Sequence, residues 1–345
     1  MIIFYCKEGY YVNILLTSAG RRTYLVEYFK KALGTEGRVY AANSQNSPAL
    51  LCADEYFITP MIYSDEYIPL LLKQCRELKI NLLVSFFDID MPVLSRHRAE
   101  FEAVGTKLAM SDADFYDICS DKYKMSLRLA EHGFGVPDSF LSPYEISEYP
   151  LIVKPRFGMG SLGVYKAAND IELKGAYSMC SREVSDTYLR FESGAVNAEN
   201  AVMIQKALVG TEYGLDVISD LDGNYVNTIV RKKFAMRSGE TDEAVVLDDS
   251  DPEYAVLTEL GASFAEAFGP KGLTDMDVIM NEGSEAEIID INGRFGGGYP
   301  FSHIAGADVP RAYVLWMQGR NEEAKECCFP KYRAHGYKDI VPRRY

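Results

Sequence analysis

Two aspartates in a hairpin-like stretch carry the strongest chemical signal in the sequence. Polar and apolar residues alternate through 274–292, interrupted by a short polar turn, which predicts two antiparallel strands with one buried face. The register that pairs apolar with apolar side chains places Asp277 directly opposite Asp290, with Asn292 further along the same face. We therefore expect two carboxylates and one amide to converge on one hairpin.

The expected register fixes the faces of the neighbouring residues as well. It pairs Met280 with Glu287 and sets Val278 opposite Ile289 on the buried face. Strict alternation leaves Ile288 on the same face as the aspartates.

Two adjacent carboxylates repel each other, so a cation is expected between Asp277 and Asp290. Oxygen ligands without His or Cys suit Mg²⁺, which completes its shell with water and phosphate, and Mn²⁺ accepts the same ligands. Arg294 and the glycines at 296–298 add a cation and a backbone that a ligand can approach, which favours a phosphoryl-transfer site. An edge hairpin with a solvated acidic face is the alternative interpretation.

A glycine-rich loop at 157–163 is the second motif that could contact phosphates. It follows a strand ending at Lys154 and precedes another strand, and no Gly-Lys-Ser/Thr is present, so it is not a Walker loop. We expect a flap whose N–H groups cap phosphates beside Lys154. A plain glycine-rich hairpin turn is the alternative.

Further polar positions follow in the second half of the chain. The backbone of 207–210 could present one N–H and one C=O to an adenine edge, and Glu212 could reach ribose hydroxyls. Arg231, Lys233 and Arg237 could bind an acidic substrate or a γ-phosphate, and their alternative role is a solvated strand end.

The totals of this 345-residue chain exclude several classes of protein. A net charge of −14 argues against a nucleic-acid partner. Seven Cys without C-x-x-C indicate reduced cytosolic thiols, with no disulfide framework and no zinc site. No apolar run is long enough for a membrane span, and residues 1–12 do not resemble a signal peptide, so we expect an appended segment on a cytoplasmic protein.

Strands that alternate with helices up to about residue 110 predict βαβ units and a parallel sheet. The first turn lacks G-x-G-x-x-G, so dinucleotide binding is not expected. The strand ends at 18–21 and 85–90 are candidates to line a substrate crevice, with capping and turn roles as the alternative. Asp90 is expected to cap one helix over 91–104. Further along we expect a helix over 170–180, a strand near 186–191, a polar loop over 235–249 and a last strand at 337–341.

With these motifs in this order, the sequence resembles the ATP-grasp superfamily, in particular one synthetase unit of the carbamoyl-phosphate synthetase large subunit and related carboxylate–amine ligases. The pattern formed by Asp290, Asn292 and Arg294, together with the glycine motif, carries the resemblance. It implies an α/β and α+β chain: a Rossmann-like pre-ATP-grasp domain at 13–115, followed by a two-subdomain ATP-grasp fold. The small subdomain with the glycine flap is expected at 116–192 and the large subdomain with the metal site at 193–345.

The resemblance also implies a role for each matching residue. Lys122 and Lys154 look like the lysines on the α- and β-phosphates, and Asp277, Asp290 and Asn292 match the metal ligands. Arg294 would steady an acyl phosphate, assisted by Lys233 and Arg237. The residues implied to bind ATP through the flap, the adenine hinge and the ribose are Gly158, Gly160, Ser161, Gly163, Gln205, Lys206, Ala207, Leu208 and Glu212.

The implied activity is an ATP- and Mg²⁺-dependent C–N ligase that activates a small carboxylate as an acyl phosphate for attack by an amine. A homodimer is compatible with this. Asp277 and Asp290 stand where many members of the superfamily have Glu or Gln. The chain also holds one synthetase unit without a glutaminase segment, so carbamoyl phosphate is not the expected product. A catalytically silent ATP-binding subunit is the alternative, although binding alone would not need the whole metal set.

Overall fold

The computed structural model describes residues 11–143, 146, 148–158, 160, 162–187, 189–196, 200–237 and 239–339. Three sheets organise these residues. One is parallel and lies in the N-terminal third, and two are antiparallel. Of the predicted appended segment, residues 1–10 lie outside the described residues. Its last residue, Val12, begins the first strand.

The first sheet has five parallel strands in the order β3-β2-β1-β4-β5, as the βαβ pattern predicts. Its strands are β1 (Val12–Thr17), β2 (Gly37–Asn43), β3 (Glu55–Ile58), β4 (Leu82–Ser85) and β5 (Lys107–Leu108). The helices that accompany and follow it are α1 (Thr23–Leu33), α2 (Tyr67–Glu77), α3 (Asp90–Arg96), α4 (Arg98–Ala103), α5 (Ala113–Cys119) and α6 (Lys122–Glu131). The strand β3 has no counterpart among the sequence-based expectations, because its apolar run, Tyr56–Ile58, is only three residues long.

The expected single helix over 91–104 is wrong, because the chain leaves the helical conformation at His97 and forms α3 and α4. Asp90 does not cap α3 either. Its carboxylate is fully buried and accepts hydrogen bonds from four hydroxyl groups. The donors are Thr17 at 2.7 Å, Ser18 at 3.0 Å, Ser85 at 2.7 Å and Tyr67 at 2.7 Å. The bonds hold the ends of β1 and β4 against α2 and α3.

The second sheet has four antiparallel strands in the order β6-β9-β7-β8. They are β6 (Ser139–Phe140), β7 (Leu151–Pro155), β8 (Tyr165–Ala167) and β9 (Val202–Lys206). The helices α7 (Asp170–Asp186) and α8 (Leu189–Glu192) accompany it. The expected strand near 186–191 is wrong, because the buried residues Leu173, Ala176, Cys180 and Val184 recur at helical spacing and carry α7 six residues past its expected end.

The third sheet has six antiparallel strands in the order β14-β13-β10-β11-β12-β15. They are β10 (Thr211–Ser219), β11 (Tyr225–Arg237), β12 (Glu240–Val246), β13 (Leu273–Met280), β14 (Ala286–Asn292) and β15 (Ala334–Tyr337). The helices of this region are α9 (Tyr254–Phe268), α10 (Tyr299–Ile304), α11 (Val309–Met317) and α12 (Asn321–Glu326).

Two expectations for this sheet are wrong. The region 235–249 is not a polar loop, since β11 runs on to Arg237 and β12 pairs with strands on both of its sides. The charged residues Glu240, Asp242 and Glu243 made this segment look like a loop in the sequence, but Thr241 and Ala244 of β12 are buried. The last strand lies at Ala334–Tyr337 rather than 337–341, and residues 340–345 fall outside the described part.

The strand β9 pairs within the second sheet, although the expected division places it in the last unit. We therefore propose that the boundary between the two C-terminal units lies after Lys206 instead of at residue 192.

A shared aromatic core joins the first and third sheets. Phe29 of α1 and Phe86 after β4 contact Phe295, with ring centroids 5.9 Å apart in each case. Phe295 also packs against Tyr299 at 4.8 Å and Tyr313 at 5.6 Å. Because aromatic pairs stabilise a core beyond the burial of their surface, this cluster fixes the segment after β14 against the parallel sheet.

None of the helices in the described part of the chain has the length and apolar character that a membrane span requires.

Candidate functional site

The hairpin β13–β14 brings the two predicted metal ligands together. Asp277 pairs directly with Asp290, and Met276 pairs with Ile291, which confirms the expected register at this end of the hairpin. Asn292 pairs with Asp275. Its side-chain nitrogen donates to Asp290 Oδ2 at 3.4 Å, and an amide that donates in this way keeps its oxygen as an acceptor.

The register is wrong beyond Asp277, where a β-bulge inserts one residue into β14. Val278 pairs with Ile288 rather than Ile289. As a result Ile288 is fully buried in the core, while Ile289 joins Asp290 at a cavity. The bulge therefore leaves the pairing of Asp277 with Asp290 unchanged and puts Ile288 on the core face, as Ile291 is on the other side of Asp290.

Three lysines surround the aspartate pair. Lys122, the first residue of α6, forms an ion pair with Asp290. Lys233 of β11 bridges Asp277 at 2.6 Å and Glu212 at 2.7 Å. Lys154 of β7 donates to the carbonyl of Ile289 at 3.4 Å. Each carboxylate thus has a cationic partner, and the carboxylates retain 24% and 25% exposure of their side chains.

The proximity of these charges shifts their pKa values. Burial, followed by the charge of Lys122, lowers the pKa of Lys154 to about 8. Burial would raise the pKa of Asp290, but the charges of Lys122 and Lys154 outweigh it and lower that pKa. Burial raises the pKa of Asp277 despite Lys233 beside it. Two ammonium groups this close to each other favour an anion between them.

A salt bridge fixes Lys122 relative to Lys154. The Arg156 guanidinium, just after β7, binds the Asp121 carboxylate through Nε and NH2, both at 2.7 Å. Asp121 is the N-cap of α6 and also accepts from the backbone of Lys124 at 3.1 Å. The backbone N–H of Lys122 donates to the Arg156 carbonyl at 3.0 Å. Because such a two-pronged pair restricts both partners, the start of α6 and the end of β7 act as one rigid piece.

A cavity of about 440 Å³, here called the loop cavity, lies between the glycine loop and the hairpin. Its size is in the range of small-molecule sites. The sequence-predicted residues that line it are Lys122, Lys154, Gly158, Gly160, Gln205, Lys206, Leu208, Glu212, Asp277 and Asp290.

A smaller cavity of about 210 Å³, here called the charged cavity, adjoins the loop cavity at Gly160, Asp277 and Asp290. It adds the predicted residues Lys233, Asn292 and Arg294. The Arg294 guanidinium binds Asp88 at 2.7 Å, and this carboxylate raises the pKa of Arg294 although burial would lower it. Phe295, next to it in the chain, is fixed in the aromatic core, so Arg294 has a defined position.

The glycine loop and the expected hinge contribute backbone rather than charge. Gly160 and Gly163 have φ of 63° and 72°, which favours glycine at both positions. Ser161 lies outside the described residues. Ala207 donates its N–H to the Pro150 carbonyl at 2.9 Å. Since proline has no N–H, it cannot return a bond to the Ala207 carbonyl.

Two predicted cations lie elsewhere. Arg237 does not line either cavity and pairs with Asp242 at 2.8 Å with 60% of its side chain exposed. Arg231 is buried, forms ion pairs with Asp216 and Asp275, and contacts Ser302 at 3.3 Å. The interpretation of Arg231 as a ligand-binding residue is therefore wrong, since the pairs that compensate its buried charge are internal.

Two of the glycines at 296–298 are needed for packing around a buried ion pair, which the sequence did not predict. A Cβ on Gly296 would lie 2.1 Å from the Asp275 carboxyl carbon, and one on Gly298 would lie 2.9 Å from the Arg231 guanidinium. These two glycines make room for the buried ion pair. Gly297 and Gly298 also line the charged cavity, and the approach of a ligand to this backbone stays a prediction.

Several residues of the charged cavity were not predicted individually, among them Arg22, Asp88 and Glu240. Asp88 falls within the strand end at 85–90 that was expected to line a crevice, and Arg22 directly follows the other such segment. Glu240 lies in the region assigned to a loop. They come from distant parts of the chain, so no local spacing could associate them.

The oxygen ligands at the hairpin fit a magnesium ion. Two carboxylates and an amide oxygen are hard donors, and surrounding lysines can release the carboxylates to a dication. Among the described residues, no three or more His, Cys, Asp or Glu side chains are arranged as a metal site. An ion that takes two carboxylates and phosphate oxygens does not need such a group.

Two family models match the chain. Residues 14–109 match the PylC-like N-terminal domain, and residues 147–297 match the ATP-grasp domain. The carbamoyl phosphate synthase large chain of Clostridium beijerinckii is 24% identical over 209 residues. That alignment covers 57% of this chain and 18% of the large chain, so this protein spans less than a fifth of its relative.

Solved structures share the fold. A biotin carboxylase from Campylobacter jejuni, solved with an ATP analogue, superimposes with a TM-score of 0.70 at 17% identity, over 89% of this chain and 71% of that one. An L-amino acid ligase from Bacillus licheniformis gives a TM-score of 0.67 at 16% identity, over 97% of this chain and 81% of that one. The chain therefore contains an ATP-grasp domain at 147–297, preceded by a PylC-like N-terminal domain at 14–109, and the solved structures share its fold over most of its length.

Proposed function

We propose that the protein is an ATP- and Mg²⁺-dependent ligase that joins a small carboxylate to an amine. The observation that carries the proposal is the pairing of Asp277 with Asp290 among Lys122, Lys154 and Lys233, at the junction of two cavities. Two acids with three cations are the groups that a triphosphate and its metal require. The chain spans less than a fifth of its carbamoyl phosphate synthase relative, so the reaction is argued from the site.

In this proposal the loop cavity holds the nucleotide. The backbone of 206–208 faces the adenine, where the Ala207 N–H is bound by the Pro150 carbonyl and proline has no N–H to offer the Ala207 carbonyl in return. Glu212 binds the ribose, and Lys122 and Lys154 bind phosphate oxygens. Gly158 and Gly160 allow the loop backbone to approach the phosphates. Binding a polyanion between Lys122 and Lys154 also relieves the repulsion between the two ammonium groups.

Asp277, Asp290 and Asn292 would hold magnesium, which supplies charge neutralisation on the phosphates when bound. The γ-phosphoryl group passes to the substrate carboxylate with release of ADP. An amine then attacks the acyl carbon, phosphate leaves, and the amine proton passes to solvent. Arg294, fixed by Asp88, is placed to steady the acyl phosphate in the charged cavity. The reaction needs no enzyme nucleophile.

The experiment that tests the proposal is hydroxylamine trapping across a panel of carboxylic acids. Acyl phosphate formation gives an acyl hydroxamate together with ADP, whereas an adenylating enzyme gives hydroxamate together with AMP. We expect magnesium-dependent hydroxamate and ADP in equal amounts with at least one acid. Tight ATP binding without nucleotide turnover for any acid and amine would overturn the proposal and favour a silent subunit. Gel filtration with light scattering checks the expected homodimer separately.

A further inference from the structure

A third cavity, here called the apolar cavity, lies beside the carboxyl ends of β1–β4 and has a volume of about 890 Å³. Its apolar lining includes Met61, Ile62, Tyr63, Phe87, Ile89 and Phe191. Met61, Tyr63 and Phe191 expose 63%, 57% and 60% of their surface, which is unusual for three large apolar residues gathered around one space. None of the groups assigned to ATP or magnesium lines it.

The apolar cavity adjoins the proposed reaction site at Phe87. Phe87 lines both the apolar cavity and the charged cavity, and Asp88, which follows it, pairs with Arg294. A molecule that reaches past Phe87 therefore has one end against apolar side chains and the other end among the charges. Phe191 belongs to α8, which accompanies the second sheet, so the cavity is lined by residues around the first sheet together with one from this helix.

Arg22 places a positive charge at this junction, with the carboxylates of Asp88 and Glu240 on the wall of the same cavity. Its guanidinium donates to the carbonyl of Phe86, and within the described part of the chain it forms no ion pair with a carboxylate. Burial and the neighbouring charge of Arg294 lower the pKa of Arg22. Two guanidinium groups that disfavour each other at the wall of one small cavity are arranged to receive an anion.

We propose that Arg22 and Arg294 bind the carboxylate that is to be activated, and that the apolar cavity holds a large apolar body attached to it. The substrate class is a carboxylic acid with an aromatic or branched side chain of about the size found in aromatic amino acids. This inference rests on the proposed ligase function. A one-carbon acid such as bicarbonate would leave the cavity unfilled, whereas an aryl group buried there strengthens binding.

Matched acids test the inference in the ADP-release assay. 3-Phenylpropanoate and L-phenylalanine are compared with acetate, glycine and bicarbonate. We expect kcat/KM for the aryl acids to exceed that for the small acids by about 10- to 100-fold. Phe191→Ala should remove most of that preference. The control is Phe329→Ala, which removes an exposed aromatic side chain that lines none of the three cavities. This variant should keep the preference for aryl acids.

Arg22 is tested separately. Arg22→Gln should raise KM for every acid by at least about 10-fold, with little change in KM for ATP, and Arg22→Lys should restore part of the loss. Equal use of acetate or bicarbonate and the aryl acids, or an unchanged KM for acids in Arg22→Gln, would overturn the inference.

A binding measurement separates this inference from the proposed function. Isothermal titration of 3-phenylpropanoate is run on the full chain with magnesium and a non-hydrolysable ATP analogue, against 3-phenylpropanol, which lacks the charge. Binding of the acid but not the alcohol, lost in Arg22→Gln, supports the inference even where no acid is turned over. Absence of binding by the aryl acid contradicts it, even where ADP release from small acids supports the ligase.

Discussion

Two clusters of charged side chains lie next to each other on the six-stranded sheet and serve different purposes. The closed cluster consists of Arg231, Asp216, Asp275 and Ser302, all 8% exposed or less. The open cluster consists of Lys233, Glu212 and Asp277, together with Asp290 of β14 and Lys122 of α6. Its carboxylates keep about a quarter to a third of their side chains exposed to the cavities.

The difference lies in what covers each cluster. Helix α10 and the glycines 296 and 298 pack directly against the closed cluster, and its charges pair with one another, with Asp275 alone among its four residues reaching the wall of the charged cavity. The open cluster faces the loop and charged cavities, where a ligand can replace the internal partners. Arg231 and Lys233 are two residues apart on one strand, so access to a cavity, rather than residue type or spacing, separates a structural charge from a binding one.

The largest expected effect is on stability and comes from Arg231→Met. The substitution leaves Asp216 and Asp275 buried without their cation, which costs about 3–5 kcal/mol of unfolding free energy. Urea denaturation followed by circular dichroism measures it. The matched control Lys233→Met removes a cation from the open cluster, and it should cost about 1 kcal/mol because water reaches Glu212 and Asp277.

Equal losses in the two variants would contradict the division into closed and open clusters. Arg231→Lys provides a second measurement if the methionine variant does not fold. It keeps the charge but not the guanidinium geometry that contacts Asp216, Asp275 and Ser302 together, so an intermediate loss of stability is expected.

The next largest effect is on activity, from Asp290→Asn. Loss of one proposed metal ligand should reduce kcat/KM for ATP about 10²- to 10³-fold. Unfolding free energy should change by less than about 1 kcal/mol, since the side chain borders a cavity. Asp242→Asn, which changes an acid on the same sheet that pairs with exposed Arg237, is the control and should retain activity. Full activity in Asp290→Asn would remove the open cluster from the reaction.

Gly296→Ala tests how tightly the closed cluster is packed. Its Cβ would overlap the Asp275 carboxylate, so we expect a loss of about 1–3 kcal/mol in unfolding free energy. Gly175→Ala on α7 is the matched control, because no atom lies within 4 Å of the added carbon. That helix-interior change should stabilise the protein by about 0.5–1 kcal/mol. The same sign in both variants would argue against a packed closed cluster.

The smallest effect is expected from Arg237→Gln. The sequence assigned this arginine to catalysis, whereas its exposed pair with Asp242 predicts less than about 1 kcal/mol in stability and less than about 5-fold in kcat/KM. Steady-state kinetics decides between the two views. A 100-fold loss would return Arg237 to the site and show that the region around 237–240 changes position during turnover.

The local sequence pattern predicted the pairing of the two aspartates better than it predicted the strands around them. The pairing of Asp277 with Asp290 followed from apolar alternation on two short strands, which a one-residue slip would destroy. The bulge after Asp277 was not predictable, because no glycine or proline marks it. The strand β12 was missed because its first half is rich in charged residues, Glu240, Asp242 and Glu243, and only its second half, 244–246, is apolar and buried throughout.

The long-range contacts were beyond local pattern altogether. Arg22, Asp88 and Arg294 meet at one cavity although more than 200 residues separate the first from the last. Likewise, the distinction between Arg231 and Lys233 depends on α10, which packs over one of them and not the other. Neither fact has a spacing that a sequence could display.

The most direct test of the account is the magnesium dependence of nucleotide binding. Isothermal titration of a non-hydrolysable ATP analogue is performed on the wild type and on Asp290→Asn, each with and without Mg²⁺. The account predicts that magnesium tightens binding to the wild type by at least about 10-fold, or 1.4 kcal/mol, and has almost no effect on the variant. An equal magnesium effect on both proteins would show that Asp277 and Asp290 do not hold the metal, and would contradict the central claim.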